Sequence, residues 1–314
     1  MKKIVIIICT CLFNTTATFC QDSIPGTLLW EVSGNGLKQP SYLFGTNHLF
    51  GSAFWNSLMD VQSYFNNVDA IVGEFNSKSG SEKIATPENE NINTYVKYDS
   101  IFSAKDYETL QNYLFGIGDI PLNRLDSAKF PAWRLYAFIQ GDYINKLLKI
   151  SGNEEQAIDF YLQDLAGKSG KEIIGLDNLS PTKKIDNSKI WGSPQQIGTS
   201  IMALVDYIQN GTITPEISRM VEEIKTFEKY RSFEINYQFT SSPPYKNTAI
   251  IQQLLIDRNK AWIKVLPDLL RKKRNFVAVG IMHLMYKEGL IVQLRKKGFK
   301  VTPVKMENLT LVNQ

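Results

Sequence analysis

Short apolar runs near both ends of the chain predict β-strands, several of which end at a glycine. Residues 28–32 and 41–44 flank Gly34-Asn35-Gly36, whose glycines permit a tight turn, so they predict an antiparallel hairpin. The apolar runs 68–73 and 276–280 predict two further buried strands.

Helical periodicity dominates the middle of the chain. Helices are predicted around Phe54, Leu58, Val61 and Phe65, over 105–115, 131–149, 154–166, 195–209 and 215–230, and from Asn247-Thr248 to about Arg274 with a bend at Pro267. One short strand, 171–176, interrupts this region, and the polar residues 76–104 predict a surface loop.

The last part of the chain predicts a strand, a helix and a strand, over 276–280, 288–297 and 299–304. That order is typical of a βαβ unit, with a parallel pair and a right-handed crossover. The expected fold class is α/β (α+β), with a mixed central sheet built from both chain ends. A mainly helical insertion would cover roughly residues 105–245, and residues 21–314 would form a single domain.

The first twenty residues have the pattern of a signal peptide. A charged start, Met1-Lys2-Lys3, precedes the apolar stretch 4–13, which is too short to span a bilayer. We therefore expect export, and two mature forms stay open. Cleavage before Gln21 gives a periplasmic or extracellular soluble protein, and lipidation of Cys20 gives a membrane-anchored lipoprotein. Phe19 favours the first form, because a lipoprotein signal needs a small residue there.

Cysteine content and charge exclude several classes of function. All three cysteines lie within residues 1–20, so the mature chain would have no disulfide, thiolate metal site or cysteine nucleophile. The formal charge is only +4, and the basic run 271–274 is typical of a helix end, so no nucleic-acid partner is expected. No other apolar run is long enough to predict a transmembrane helix in the mature chain.

The two histidines of the chain have the same setting. His48 and His283 each follow, by three residues, a glycine that ends an apolar strand, Gly45 and Gly280. Ligands of α/β sheets bind just past strand ends, and glycine permits a sharp turn or a close approach there. We therefore predict that the two Gly-x-x-His turns meet in one site. The alternative for each is a hydrogen-bonded structural histidine.

Two carboxylates have similar positions, since Glu74 follows the strand 68–73 directly and Asp177 follows the strand 171–176. Two neutral imidazoles and a carboxylate, with positions left for water, are typical of an open site for a catalytic divalent metal. Glu74 would be a metal ligand or the base that activates water. The alternative for both acids is an exposed carboxylate at a turn.

Arg258 falls on the apolar stripe of the long predicted helix, among Leu255, Trp262 and Val265. A charge on a buried face must be paired or face a cavity. Arg258 would then hold a substrate carboxylate or stabilise an oxyanion, with Asn259 beside it as a substrate contact. The alternative is an arginine at the edge of the stripe with its head group in water.

The stretches that carry these residues resemble the TraB/GumN family, whose wider relatives include the Tiki proteins and the pheromone-shutdown proteins. The matching motifs are LFGTNHL at 43–49, VDAIVGE at 68–74, LLIDRN at 254–259 and FVAVGIMHL at 276–284. The resemblance implies a metal-dependent hydrolase, with manganese or cobalt reported for Tiki-type peptidases. Relatives often have glycine where this chain has Tyr286, which would narrow the pocket, and glutamate where it has Asp177.

The combined prediction is an exported metal-dependent hydrolase, a peptidase in the first instance, with Mn, Co or Zn as its cofactor. Its predicted metal ligands are His48, His283 and Glu74, its catalytic residues Glu74 and Arg258, and its contacts to a peptide or small-molecule substrate Asn259, Asp177 and Tyr286. Two alternatives stay open. One is a non-catalytic protein that binds a peptide or a haem-like ligand in the same cleft, and the other is a structural protein of an export pathway.

Overall fold

A computed structural model describes residues 26–77, 95–147, 156–182, 192–244, 248 and 251–306. The predicted signal peptide and most of the predicted loop over 76–104 lie outside these residues. The strands are β1 Leu29–Ser33, β2 Ser41–Thr46, β3 Ala70–Gly73, β4 Glu172–Gly175, β5 Asn275–Gly280 and β6 Lys300–Pro303.

The six strands form one mixed sheet in the order β4-β3-β5-β2-β1-β6. The first four of these are parallel to one another, whereas β1 runs antiparallel to β2 and to β6. The predicted α/β class and the sheet built from both chain ends are confirmed. The predicted hairpin is confirmed as well, with Leu29 opposite Phe44 and Val32 opposite Ser41.

The prediction that the last two strands, β5 and β6, form a parallel pair is wrong in one respect. β5 and β6 point in the same direction, but β2 and β1 lie between them. The reason is that the β1–β2 hairpin occupies the edge of β5 on that side, with Phe44 opposite Ala278. β6 therefore pairs with the far side of the hairpin, where Glu31 lies opposite Thr302.

Helices fill the middle of the chain, as predicted, and flank the sheet. They are α1 Ser52–Ser57, α2 Met59–Asn66, α3 Tyr98–Ile101, α4 Ala104–Gly118, α5 Leu122–Ser127, α6 Ala132–Leu147, α7 Ile158–Lys168, α8 Leu176–Leu179, α9 Pro194–Asn210, α10 Pro215–Arg231, α11 Arg258–Lys272 and α12 Leu290–Lys296. The helix predicted over 195–209 corresponds to α9, which ends before Gly211, whose φ of 77° lies in the left-handed region. Helices α3, α5 and α8 are too short to produce a clear periodicity, so the sequence did not indicate them.

Within the described ranges, no helix is both long and apolar enough to cross a bilayer.

The predicted long helix is regular only in its second half. A π-helical segment, Gln252–Asp257, precedes α11, which begins at Arg258. Pro267 lies inside α11 without ending it. Segments of π-helix are rare and often lie at functional sites, because the wider turn shifts the side chains that follow. Arg258 is the first residue after this segment.

Alternation along the strands divides the sheet residues between two apolar cores, because successive side chains point to opposite faces. Phe44, Ile71 and Phe276 pack on one face, with α1, α2 and α7. Their neighbours Leu43 and Val277 pack on the other face, with α11 and α12. A third core consists of residues from the helical middle alone, from α3 to α6 together with α9 and α10. The sheet is therefore covered on both faces.

Candidate functional site

The carboxyl ends of the four parallel strands place the predicted site residues at one edge of the sheet. β2 leads to His48, β3 to Glu74, β4 to Asp177 and β5 to His283. Because these strands are adjacent and point in the same direction, residues far apart in sequence converge there. The edge at the carboxyl ends is the usual place for a ligand in a parallel sheet.

Glu74 lies at the centre of this edge, directly after β3, and its side chain is 9% exposed. The Gly280 amide donates a hydrogen bond to Oε1 at 2.8 Å, and Arg258 Nη2 lies 2.7 Å from Oε2. Burial raises the pKa of Glu74, but the charge that His283 carries in acid, the charge of Arg258 and the Gly280 amide outweigh burial and lower the pKa to about 2. The carboxylate is therefore ionised at neutral pH.

Arg258 joins the two carboxylates of the site. Its Nη2 lies 2.7 Å from Glu74 Oε2 and 2.8 Å from Asp177 Oδ2. Its Cζ lies 4.5 Å from the ring centre of Trp262, whose Nε1 donates to Asp177 Oδ1 at 2.7 Å. The side chain is only 13% exposed, so the structure places Arg258 on the buried face of the helix. Two carboxylates share one guanidinium, which leaves a net negative charge at this edge.

His283 ends a short 3₁₀ turn, Ile281–His283, that follows β5. Its Nδ1 lies 2.7 Å from Asn259 Oδ1, and its ring lies against Trp262 with ring centres 4.4 Å apart. Its Nε2 lies 3.6 Å from Glu74 Oε1. Burial lowers the pKa of His283 to about 4, with the charge of Arg258 acting in the same direction and that of Glu74 against it. His283 is therefore a neutral imidazole at neutral pH.

The glycines of the two Gly-x-x-His turns are required by close packing rather than by an unusual φ. A Cβ at Gly45 would clash with the Cδ1 atom of Ile281, and would lie 3.3 Å from its Cα. A Cβ at Gly280 would lie 3.2 Å from Glu74 Oε1 and 3.7 Å from His283 Cδ2. The first glycine lets the turn after β5 approach β2, and the second leaves room for the carboxylate.

His48 is the exposed member of the group, with 61% of its side chain accessible. Its Nδ1 lies 2.6 Å from Asp159 Oδ2, and Thr46 Oγ1 donates to Asp159 Oδ1 at 2.5 Å. The hydrogen bond to Asp159 raises the pKa of His48 to about 9, against the effect of desolvation. At neutral pH both ring nitrogens of His48 therefore carry a hydrogen, and Nε2 could bind a metal ion only after losing its hydrogen.

Asp159 is a site residue that the sequence reasoning missed. It belongs to the first turn of α7, where an acidic residue is ordinarily explained by the helix dipole. A signal was available, because Asp159, Leu162 and Ala166 follow one another at helical spacing and all are buried. A charged residue on that buried face needs a partner, and Thr46 and His48 provide it.

Asn259 and Tyr286, both predicted as substrate contacts, have buried side chains. Asn259 Nδ2 donates to the backbone carbonyls of His283 at 3.2 Å and Glu288 at 3.0 Å. Tyr286 has a φ of 66°, in the left-handed region that favours glycine. Its backbone amide donates to the carbonyl of Tyr237 at 2.8 Å. In this structure both residues contact other parts of the chain.

The donor atoms around Glu74 allow a test of whether a metal ion fits. Within the part of the chain that the structure describes, no group of three or more His, Cys, Asp or Glu side chains is arranged to hold one. A pair of donors is nevertheless aligned, since His283 Nε2 lies 3.6 Å from Glu74 Oε1. Two ligand atoms on one tetrahedral ion, with bonds of about 2.1 Å, would be about 3.4 Å apart. The pair therefore fits two ligands of a divalent ion, and His48 as the third stays a prediction.

The fold and this site define a class of protein, an α/β protein with charged residues beyond the carboxyl ends of four parallel strands, two of which lead into Gly-x-x-His turns. The family model of the TraB/PrgY/gumN family matches residues 28–303, and the chain belongs to this family. The resemblance found in the sequence is thereby confirmed. No curated protein and no solved structure matches the chain.

Proposed function

We propose that this protein is an exported hydrolase that uses a divalent metal ion (Mn, Co or Zn) and acts on peptides. The observation that carries the proposal is the pair His283 Nε2 and Glu74 Oε1, 3.6 Å apart at the carboxyl edge of the sheet. A neutral imidazole nitrogen and an ionised carboxylate oxygen each present a lone pair, so a cation between them would be bound favourably. The predicted signal peptide supports export.

His283 and Glu74 would hold the ion, with His48 as the third protein ligand. A bound divalent ion would polarise a substrate carbonyl and lower the pKa of a water molecule to about 7. We assign Glu74 as a ligand rather than the base, because Arg258 and the Gly280 amide fix its carboxylate with Oε1 towards His283. The net negative charge of Glu74, Asp177 and Arg258 together would favour a cation at this edge.

The other side chains would orient the substrate. Arg258 uses Nε and Nη2 for its contacts with Asp177 and Glu74, and no partner among the described residues takes Nη1. Nη1 is therefore the donor for a substrate carboxylate or for the oxyanion that forms during hydrolysis. Asp177 and Trp262 hold the guanidinium in place, so their role is to position it.

A combined metal and activity assay tests the proposal. The purified chain would be tested for binding of Mn²⁺, Co²⁺ and Zn²⁺, and for peptide hydrolysis before and after chelation and after the metal is restored. Glu74→Gln and His283→Ala each remove a proposed ligand atom, so each should lower activity by more than the roughly 10–100-fold that loss of a ligand's hydrogen-bonding partner costs.

Glu172→Gln is the matched control, because Glu172 is a strand carboxylate that pairs with Lys273 at the opposite end of β4. This variant should keep full activity and metal binding. If the chain binds none of the three ions, and both site variants behave like the parent protein, the proposal is wrong. Binding of a peptide without turnover would instead indicate the non-catalytic binding protein.

A further inference from the structure

Asn259 has a hydrogen-bonding environment that allows only one orientation of its amide group. The side chain is buried beside His283, and its Nδ2 lies 3.2 Å from the carbonyl oxygen of His283 and 3.0 Å from that of Glu288. A carbonyl oxygen can only accept a hydrogen bond, so the NH₂ group of Asn259 must face these two atoms. The amide oxygen is then fixed on the opposite side.

That amide oxygen lies 2.7 Å from Nδ1 of His283. An amide oxygen is also only an acceptor, so Nδ1 must carry the hydrogen in this contact. In a neutral imidazole only one nitrogen is protonated, which leaves Nε2 with a free lone pair. Nε2 is the nitrogen that faces Glu74 Oε1.

We propose that Asn259 is a positioning residue that fixes His283 as the Nδ1–H tautomer and so makes Nε2 the ligand atom of the site. The Trp262 ring packs against the imidazole at a tilt of 39°, with ring centres 4.4 Å apart, and limits its rotation. Asn259 and Trp262 both belong to α11, one turn apart. One helix therefore sets both the orientation of the ring and the position of its proton.

This inference deepens the proposed function and rests on it only for the identity of the ligand. Without an ion, the two acceptor atoms His283 Nε2 and Glu74 Oε1 would face each other at 3.6 Å. An imidazole without other contacts would avoid this by taking the Nε2–H tautomer and donating a hydrogen bond to Glu74. Asn259 prevents that rearrangement. The site is thus kept ready to accept a cation rather than closed by a His283–Glu74 hydrogen bond.

Nitrogen-15 NMR of histidine-labelled protein tests the tautomer directly, because the chain has only two histidines. The protein would carry no histidine tag, and His283→Gln would identify the signals of His48. In metal-free protein at neutral pH, Nδ1 of His283 should give a protonated, pyrrole-type signal and Nε2 an unprotonated, pyridine-type signal. The reverse pattern, or rapid averaging between the two tautomers, in the parent protein would overturn the proposal.

Two leucine substitutions then separate positioning from packing. Asn259→Leu should convert the His283 pattern to the Nε2–H form. Asn275→Leu is the matched control, since Asn275 is also buried and also donates to two backbone carbonyls, those of Leu269 and Lys273, but touches no histidine. The control should leave the His283 signals unchanged. Retention of the Nδ1–H form in Asn259→Leu would contradict the proposal.

Zn²⁺ added to the labelled parent protein distinguishes this inference from the proposed function. Binding at the predicted atom should shift the Nε2 signal of His283 strongly and leave Nδ1 protonated. Should Zn²⁺, Co²⁺ and Mn²⁺ all leave the Nε2 signal unchanged while the Nδ1–H form is observed, the metal proposal fails and the positioning role of Asn259 stands. Should Zn²⁺ shift Nδ1 instead, the positioning role is wrong although a metal binds.

Discussion

Replacing Arg258 with methionine is expected to leave two carboxylates without their shared cation. In the parent protein Arg258 Nη2 contacts both Glu74 and Asp177, at 2.7 and 2.8 Å. Methionine keeps the length and the apolar stem of arginine but contributes no charge and no donor. The change therefore removes the guanidinium, with its two ion pairs and its cation–π contact with Trp262, and keeps an apolar stem of similar length.

The magnitude follows from burial. The Glu74 side chain is 9% exposed and that of Arg258 13% exposed, so water can replace the lost cation only in part. Removing one partner of a buried ion pair costs about 3–5 kcal/mol, because an unpaired charge remains. Asp177 is more accessible, at 25%, so most of this cost should come from Glu74.

Urea denaturation at several pH values is the assay. In the parent protein the pKa of Glu74 is lowered from 4.5 to about 2, so its stabilising contribution is fully present above pH 4.5 and is lost as the pH falls towards 2. Without Arg258, the folded protein should take up this proton at a higher pH. The difference in unfolding free energy between variant and parent should therefore be largest at neutral pH and shrink in acid.

Two further variants check the cause. Adding Glu74→Gln to Arg258→Met removes the unpaired charge and should recover more than half of the lost stability. Arg274→Met breaks an exposed ion pair with Asp69 and should change stability little, since such pairs contribute little. The reasoning would be refuted if Arg258→Met had the stability of the parent protein at neutral pH, or if its loss of stability did not vary with pH.

Three other predictions concern single contacts. Tyr286→Gly should be more stable than Tyr286→Ala by about 1 kcal/mol in urea denaturation, the reverse of the usual order, because φ is positive there; equal stabilities would contradict this. Gly45→Ala should lower the free energy of unfolding by about 1–3 kcal/mol and reduce any activity, because the added methyl group forces Ile281 away. An active variant with the stability of the parent protein would contradict this prediction. Asp159→Asn should lower the pKa of His48 from about 9 towards 6.5 in an NMR titration, and an unchanged pKa would rule out Asp159 as the cause.

The sequence was sufficient to predict which side chains follow strand ends. His48, Glu74, Asp177 and His283 each come just after an apolar run, and this placement depends only on local periodicity. Their convergence then required the strands to be adjacent and parallel, which the pattern of a central sheet favours but does not determine. Strand order could not be predicted, because the pairing of β6 with β1 depends on which sheet edge the hairpin leaves free.

Contacts between the sheet and the helical middle were beyond the sequence pattern. Asp159 and Thr46 are far apart along the chain, and neither has a neighbour that indicates the other. The π-helical segment before Arg258 was not predictable either, since its residues have the same apolar spacing as an α-helix. Arg258 was detectable only because a charge on an apolar stripe must be compensated, and the same reasoning would have found Asp159.

The central position of β5 has a consequence for incomplete chains. β5 lies between β2 and β3, so the strands that carry His48 and Glu74 are never direct neighbours. A polypeptide that stops before Asn275 lacks the element that brings these two strands together and also lacks His283. A chain that has been synthesised only this far, or that has been cleaved before Asn275, therefore cannot bring His48 and Glu74 together through β5. A site that uses His48, Glu74 and His283 together therefore requires a chain that extends through β5 to His283.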